Sequence, residues 1–174
     1  MLDIAGKYEP LLQTLFTQIA FDPLHKFGNV TSYRDKYKSL ESSWIGHEFV
    51  SVDTCGSILG YFRYNIDREV RYAYGLYVVN LSNGIKPSAT FALDLKTCIT
   101  DIFEKFDFSK LRFTCVMGNP IESSYDKLIT KIGGSVVGIH KQDVRLLDGK
   151  VYDLKLYEVL KENYLTSPYK MGKL

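Results

Sequence analysis

The sequence contains few of the residues that build metal sites and disulfide frameworks. Its 174 residues include three cysteines and three histidines. The cysteines are odd in number and widely spaced, which fits neither a disulfide framework nor a zinc motif. The histidines lie far apart, and His47-Glu48 is followed by no second histidine at helical spacing, which excludes a zincin motif. We therefore expect no metal and a reducing, cytoplasmic environment.

The sequence also lacks a long apolar run, a basic leader and an excess of one charge. No run is long enough to span a bilayer, and no signal-peptide pattern is present. Lys and Arg number 22 and Asp and Glu number 20, a net charge of +2. Such a balance argues against a dedicated nucleic-acid binder, which usually has a basic excess. Neither a Walker A motif nor G-x-G-x-x-G occurs.

Aromatic residues, by contrast, are abundant. They make up 14% of the chain, and the 13 tyrosines outnumber the 10 phenylalanines. Tyrosine favours half-buried strands and boundaries between apolar and wet surface. Six aromatics lie in two neighbouring predicted strands, and they fit either cross-strand pairing or a groove with tyrosine walls: Tyr61, Phe62, Tyr64, Tyr72, Tyr74 and Tyr77. By alternation Tyr72, Tyr74 and Leu76 share a face, unless Gly75 forms a bulge that re-aims Tyr77.

Hydrophobic periodicity predicts the order of elements. The predicted elements are helix 8–20, loop 21–29, short helix 32–40, strands 48–53, 57–65 and 71–81, a long helix after Pro87, strand 111–117, a helix that starts at Asn119-Pro120-Ile121-Glu122 and ends at Gly133-Gly134, and a hairpin of strands 136–146 and 150–160. Asn119 is the expected cap of its helix, with Pro120 at the first helical position.

The central strand–helix–strand unit requires a parallel pair of strands. We therefore predict an α/β (α+β) fold. Its sheet is mixed, mostly antiparallel and twisted, with six to seven strands, a central parallel junction and about four flanking helices. At roughly 100–200 residues per domain, the chain is predicted to be one domain. Within it we distinguish a helical region at 1–45, a core at 46–163 and a tail at 164–174.

The candidate ligand site lies where the chain directions diverge at the parallel junction. There the loop 82–88 leads into the N-terminus of the long helix, whose N–H groups and dipole attract a phosphate. Lys86 adds a cation, and Ser88 and Thr90 add hydroxyls. The alternative is a surface loop that ends in an ordinary helix cap.

Four stretches in this order resemble the GNAT superfamily of N-acetyltransferases, and in particular its ribosomal-protein acetyltransferase branch. Residues 57–61 resemble the glycine-containing third strand. Residues 76–79, after Gly75, resemble the bulged fourth strand that pairs with pantetheine. Asn119 and the helix ending at Gly133 resemble the segment Asn…Tyr-x-Lys-x-Gly-Phe. Residues 148–160 resemble the closing hairpin. The resemblance covers roughly Gly46–Asn163.

The resemblance implies acetyl-CoA or another acyl-CoA as cofactor, and a primary amine on a small molecule or protein as acceptor, without membrane or nucleic-acid contact. It is compatible with a homodimer. An N–H between Leu76 and Val78 would face the thioester oxygen. The spacing after Asn119 makes Tyr125 the implied acid for the thiolate, with core packing as the alternative. The implied cofactor-binding residues are Leu76, Tyr77, Val78, Gly84, Ile85, Lys86, Ser88, Ala89, Thr90 and Asn119.

Departures from the family pattern support a second hypothesis. The glycines of the family's pyrophosphate loop fall near Ile85 and Pro87, and proline removes a backbone donor. Counted from Gly133, the family's tyrosine falls on Ile129. The alternative is a catalytically degenerate binding or assembly protein of this fold, similar to divergent members carried by bacterial viruses. No spacing selects a general base, and five carboxylates stay open: Asp53, Asp67, Glu69, Glu122 and Asp153.

Overall fold

The computed structural model describes residues 1–19, 37, 39–81 and 88–170. The chain divides into two compact units. The first unit is Met1–Glu9 with Ser39–Arg112, and the second is Pro10–Lys38 with Phe113–Leu174. The predicted loop 21–29 and most of the predicted helix 32–40 lie outside the described residues. That the chain acts as one domain stays a prediction.

The predicted mixed sheet is confirmed: the described residues form seven strands in the order β1-β2-β3-β4-β5-β7-β6, with a parallel β4–β5 pair. No helix of the described segments is long and apolar enough to cross a membrane. The elements are β1 Leu2–Ile4, a 3₁₀ turn Ala5–Tyr8, α1 Glu9–Ile19, β2 Gly46–Val52, β3 Ile58–Asp67, β4 Tyr72–Asn80, α2 Ala89–Glu104, β5 Lys110–Val116, α3 Glu122–Lys131, β6 Ser135–Arg145, β7 Val151–Leu160 and α4 Lys161–Leu165. Strand β1 and helix α4 were not predicted, because three and five residues are too few to show a period.

Helix α2 packs on one face of the first unit's strands, which we call the helix face. Gly60 makes this contact possible, because a Cβ atom built there would overlap the ring of Phe91 on α2. The Phe91 ring packs on Phe62, with centroids 5.1 Å apart. Deeper along the helix, the buried Ser51 hydroxyl donates to Asp94 Oδ2 at 2.6 Å, which satisfies both buried polar groups.

Strand β4 contains the bulge that the sequence left open. Between two register pairs, Arg63–Tyr77 and Asn65–Tyr74, strand β4 advances three residues while β3 advances two. The extra residue lies at Gly75, whose φ of +64° is the left-handed conformation that glycine adopts without strain. The bulge turns Tyr77 onto the face that Tyr74 occupies, and Leu76 points to the opposite face and is buried.

The start of α3 differs from the prediction. The Asn119 carboxamide oxygen does accept from the Ile121 N–H at 3.1 Å, as a cap would. However, the helix begins at Glu122, so Pro120 lies in the preceding turn and not at the first helical position. The Glu122 carboxylate accepts from the Gly118 N–H at 2.9 Å rather than from Asn119. The Glu122 side chain thus binds the backbone four residues before it, across the turn that precedes the helix.

The β6–β7 hairpin is formed as predicted around Leu147–Gly149, but β6 is irregular. His140 pairs with Leu154 and Val144 with Tyr152, so three residues of β6 oppose Asp153 alone. The Asp153 carboxylate fills this bulge by accepting from Lys141 Nζ and from the Gln142 N–H, both at 2.8 Å.

The Gly60 contact makes a stability prediction. Alanine at position 60 would force the Phe91 ring to move, so we expect Gly60→Ala to lower the free energy of unfolding by about 1–3 kcal/mol. Gly6→Ala is the matched control, because a Cβ atom at Gly6 meets nothing within 4 Å. Urea unfolding followed by circular dichroism measures both variants. Equal stabilities of the two variants would contradict the close-packing role of Gly60.

Candidate functional site

Within the first unit, the second half of β4 pairs on one side only. There the parallel β4–β5 pairs join Tyr72, Ala73 and Tyr74 to Lys110, Leu111 and Arg112. Past the Gly75 bulge, β4 continues on β3, and no other described strand of the first unit pairs with it. The predicted cofactor-binding residues Leu76, Tyr77 and Val78 lie on this stretch. Their main-chain groups can therefore serve as an extended strand for a ligand.

The N-terminus of α2 is the second part of the predicted cofactor site that the structure describes. The Ser88 hydroxyl accepts from the Phe91 N–H at 3.1 Å, so Ser88 is the N-cap. Ala89 and Thr90 form the first turn, where N–H groups have no intrahelical partner. The ordinary cap that the sequence offered as an alternative is therefore present, and it leaves the dipole end of the helix in place. Gly84, Ile85 and Lys86 lie outside the described residues.

Four tyrosines share the sheet face opposite the helix face, which we call the tyrosine face. Its further members follow from the register pairs Glu48–Arg63, Arg63–Tyr77 and Tyr74–Arg112. Phe62 and Tyr64 lie on the helix face instead, where Phe62 meets Phe91. The members of the tyrosine face that the register gives are Asp3, Glu48, Val50, Tyr61, Arg63, Asn65, Asp67, Tyr72, Tyr74, Tyr77, Val79, Lys110 and Arg112. Tyr61 and Tyr77 form a cross-strand aromatic pair, with ring centroids 6.3 Å apart. Tyr74 and Tyr77 are 38% and 42% exposed, so their rings are also accessible to a ligand.

Glu48 is a buried carboxylate on this face that sequence reasoning missed. Its side chain is 5% exposed. The Tyr61 hydroxyl donates to Oε1 at 2.8 Å, and the Leu40 N–H donates to Oε2 at 3.0 Å. Arg63 completes the arrangement with a 3.3 Å ion pair to Oε1. No motif or spacing marks Glu48; the available signal was its place in a strand beside apolar residues, on the face that carries Val50.

Tyr125 lies in the second unit, on α3. Its ring packs edge-on against Phe113 at 5.3 Å and Tyr157 at 6.2 Å, and the residue is 8% exposed. The packing role that the sequence offered as an alternative is therefore real. Its role as an acid stays a prediction. Asn119, in the same unit, uses its side-chain oxygen in the turn before α3.

Lys155 on β7 fixes α3 through two carboxylates. Its ammonium forms an ion pair with Glu122 and lies 3.1 Å from Asp126 Oδ2. The Tyr157 hydroxyl donates to Asp126 Oδ1 at 2.8 Å. Lys155 and the Gly118 N–H lower the pKa of Glu122 below 4.5, and Tyr157 and Lys155 lower the pKa of Asp126 below 3.8. Both carboxylates in turn raise the pKa of Lys155 above 10.5.

Most carboxylates considered as general bases are engaged in local structure. The Asp53 carboxylate accepts from the Cys55 and Ser57 N–H groups, and Asp67 accepts from two N–H groups in the β3–β4 turn. Asp153 fills the β6 bulge, and Glu122 binds Lys155 and Gly118. These contacts explain why the four residues are acidic without any catalytic role, so the structure singles out no base among them.

The three cysteines differ in their exposure to solvent. Cys98 and Cys115 are buried, and Cys55 is exposed in the β2–β3 turn. Burial raises the pKa of the Cys115 thiol to about 12, so it is protonated at neutral pH. Among the described residues, no group of three His, Cys, Asp or Glu side chains could hold a metal ion.

Comparison with solved structures identifies the fold. A chimera of the spermidine N-acetyltransferase SpeG from Vibrio cholerae with hSSAT superimposes with a TM-score of 0.72 at 15% identity, covering 95% of this chain and 98% of that one. The Vibrio cholerae enzyme in complex with CoA and spermine gives 0.72 at 13% identity, with the same coverage. A protein described as a probable acetyltransferase gives 0.69 at 19%, covering 93% of each chain.

The chain therefore has the fold of the GNAT-like acetyltransferases, as the resemblance implied. No protein-family model matches the sequence. No curated protein matches it significantly either. The finer resemblance to the ribosomal-protein branch stays a prediction, because the similar structures named above are polyamine enzymes and a probable acetyltransferase.

The Lys155 cluster predicts a pH dependence of stability. Because the folded pKa values of Glu122 and Asp126 are lowered, their contribution is present above pH 4.5 and is lost as pH falls through the folded values. We expect the melting temperature to fall on acidification. Lys155→Met should have a lower melting temperature at neutral pH, because Glu122 and Asp126 lose their cationic partner. Its melting temperature should fall less on acidification, because protonation removes the charges of these two unpaired carboxylates.

Differential scanning calorimetry between about pH 7 and pH 3 measures this dependence. Lys105→Met is the matched control, because the Lys105 side chain is exposed and its ion pair with Asp101 is long, 3.7 Å, and therefore worth little. A Lys155→Met profile parallel to that of the unchanged protein would contradict the role of Lys155.

Proposed function

We propose that this protein is an acyl-CoA-dependent N-acyltransferase that moves an acetyl group from acetyl-CoA to a primary amine. The observation that carries the proposal is the stretch of β4 past the Gly75 bulge, which within the described first unit pairs on one side only and is followed in the chain by the capped N-terminus of α2. An extended amide-containing ligand fits the first feature, and a phosphate fits the second. The likeness to CoA-binding acetyltransferases supports the same assignment at the level of the fold.

The residues of the first unit fit the proposed cofactor. Main-chain groups of Leu76, Tyr77 and Val78 would hold the pantetheine arm, and the first turn of α2 at Ala89 and Thr90 would hold a phosphate. When bound, acetyl-CoA supplies the activated acetyl thioester. An N–H on this stretch of β4 is a preorganised donor for an oxygen that gains negative charge, and such donors account for much of the catalysis of acyl transfer.

Tyr125 is the proposed acid. A phenol has an ordinary pKa near 10, so it holds its proton at neutral pH and can give it to a leaving thiolate. Its spacing after Asn119 supports this role, and its packing against Phe113 and Tyr157 fixes the ring. Because a fixed proton donor needs no reorganisation, the aromatic cluster and the acid role are compatible.

Cofactor binding is the first test. Acetyl-CoA should raise the melting temperature of the folded protein by linkage. Gly75→Val should remove most of this effect, with a rise in Kd of about tenfold or more, because a β-branched residue cannot hold the left-handed bulge. Calorimetric titration measures the affinity.

Gly56→Val is the matched control for that experiment. Gly56 also has a positive φ, +85°, but lies in the β2–β3 turn, where a Cβ atom meets nothing within 4 Å. Gly56→Val should lower the free energy of unfolding and leave the acetyl-CoA affinity unchanged. No stabilisation of the unchanged protein at millimolar acetyl-CoA would contradict the cofactor and the enzyme, and would favour the degenerate binding protein.

The acid role of Tyr125 is tested separately. Tyr125→Phe keeps the ring in its aromatic cluster and removes the proton, so we expect turnover to fall about a hundredfold with little change in CoA affinity. The steady-state release of CoA thiol measures turnover. Tyr152→Phe makes the same change in the β6–β7 hairpin, where the hydroxyl binds Asp148, and should leave turnover unchanged. Unchanged turnover in Tyr125→Phe would contradict the acid role and would show that Tyr125 contributes only to packing.

A further inference from the structure

An arginine on the tyrosine face lies beside the strand that is proposed to hold the cofactor. Arg63 is the direct cross-strand neighbour of Tyr77, the exposed tyrosine of the stretch proposed to hold the cofactor. We infer that the acceptor of the proposed reaction is an amine that also bears a carboxylate, and that Arg63 binds this carboxylate. The inference rests on the proposed function and adds the class of acceptor to it.

The guanidinium of Arg63 forms an ion pair with a fixed carboxylate and stays partly exposed to solvent. Its one ion pair within the described residues is the 3.3 Å contact of a single terminal nitrogen with Glu48 Oε1. Glu48 itself is buried and fixed by Tyr61 and by the Leu40 N–H. The Arg63 side chain nevertheless stays 36% exposed. A guanidinium has five N–H donors in a planar fork, so donors remain for an incoming carboxylate.

A second exposed arginine strengthens the positive character of the same face. Arg112 lies on β5 opposite Tyr74, and its guanidinium lies over the ring of Tyr72, with the Cζ atom 5.0 Å from the centroid. Its terminal nitrogen is 3.3 Å from the Tyr72 hydroxyl. No carboxylate of the described residues pairs with Arg112. The charged groups that are direct cross-strand neighbours of Tyr74 and Tyr77 are Arg112 and Arg63, both cationic. The acids of this face are engaged elsewhere: Glu48 is buried, Asp67 accepts from two N–H groups of the β3–β4 turn, and Asp3 pairs with Lys7.

This arrangement selects against a polycationic acceptor. A second ammonium group would approach the guanidinium of Arg63, and juxtaposed like charges oppose binding. A carboxylate would instead form charge-assisted hydrogen bonds with the guanidinium fork. The exposed ring of Tyr77 can contact the aliphatic part of the same acceptor. The acceptor class thus differs from spermine, the ligand of the Vibrio cholerae enzyme of similar fold.

The probes share one chain length, four carbons, so that chain length does not contribute to the comparison. Three amines of this length differ only at the far end: 4-aminobutyrate has a carboxylate, butylamine has a methyl group, and putrescine has a second ammonium.

The first experiment measures acetylation of these three probes at saturating acetyl-CoA. We expect kcat/KM to decrease from 4-aminobutyrate to butylamine to putrescine. Arg63→Gln should lower the value for 4-aminobutyrate about tenfold or more, the loss expected for a charge-assisted hydrogen bond, and should lower the value for butylamine by a much smaller factor. Arg112→Gln should reduce the preference for 4-aminobutyrate over butylamine more weakly. Because Arg112 is exposed, this variant provides the test if Arg63→Gln fails to fold. Arg71→Gln is the control, because its guanidinium binds Asp107 at the β3–β4 turn.

A peptide pair distinguishes the two sources of the carboxylate. One peptide has a single lysine flanked by glutamate and the other has it flanked by glutamine. Preference for the glutamate peptide over 4-aminobutyrate, lost in Arg63→Gln, indicates a protein acceptor; the reverse order indicates a small molecule. Equal rates for all probes, or an unchanged preference in Arg63→Gln, would overturn the inference while leaving the acyltransferase proposal standing.

A binding measurement without cofactor separates the two proposals if no probe is acetylated. The side-chain Nε–Hε signal of Arg63, identified by its absence in Arg63→Gln, is followed by NMR during titration with glutarate or cadaverine. A saturable shift with glutarate alone supports the carboxylate site even if the enzyme assignment fails. The absence of a shift with glutarate, or equal shifts with both compounds, would overturn it.

Discussion

One extra residue in β4 is the constraint on which the candidate site depends. At Gly75 the strand takes a left-handed step, and the alternation of side chains reverses beyond it. Leu76 is thereby buried, and Tyr77 joins Tyr74 on the opposite face. A regular strand would have the reverse parity after position 75, so Tyr77 would point to the helix face. The bulge thus places the Tyr77 side chain beside Arg63 on the tyrosine face.

Three of the 13 tyrosines share one recurring contact within the described residues. In each, the tyrosine hydroxyl donates to a carboxylate that also binds a nearby cation. Phenylalanine would fill the same volume but would leave one carboxylate lone pair without a donor, which is costly where the carboxylate is buried. The three sets are Tyr61–Glu48–Arg63, Tyr157–Asp126–Lys155 and Tyr8–Asp3–Lys7.

The sequence predicted the elements with clear periodicity and the topology that they require. The parallel junction followed from a single crossover helix, and Gly75 was recognised as a candidate bulge because glycine inside a strand has few other uses. Glu48 and Arg63 escaped notice because their importance comes from register across strands, which no spacing along the chain encodes. For the same reason, the carboxylates selected from the sequence proved to be mainly turn-forming residues, since turns and acids occur together in any soluble chain.

The irregularity in β6 has a consequence for how the molecule meets other chains. Strand β6 ends the sheet, and a sheet edge offers a row of hydrogen-bonding groups to any passing strand. The three looped-out residues at 141–143 break that row near its middle, and Asp153 holds them in place from within the hairpin. A foreign strand could therefore add along only a few residues before losing register. The Asp153 carboxylate thus shortens the regular stretch of β6 edge with which another chain could pair.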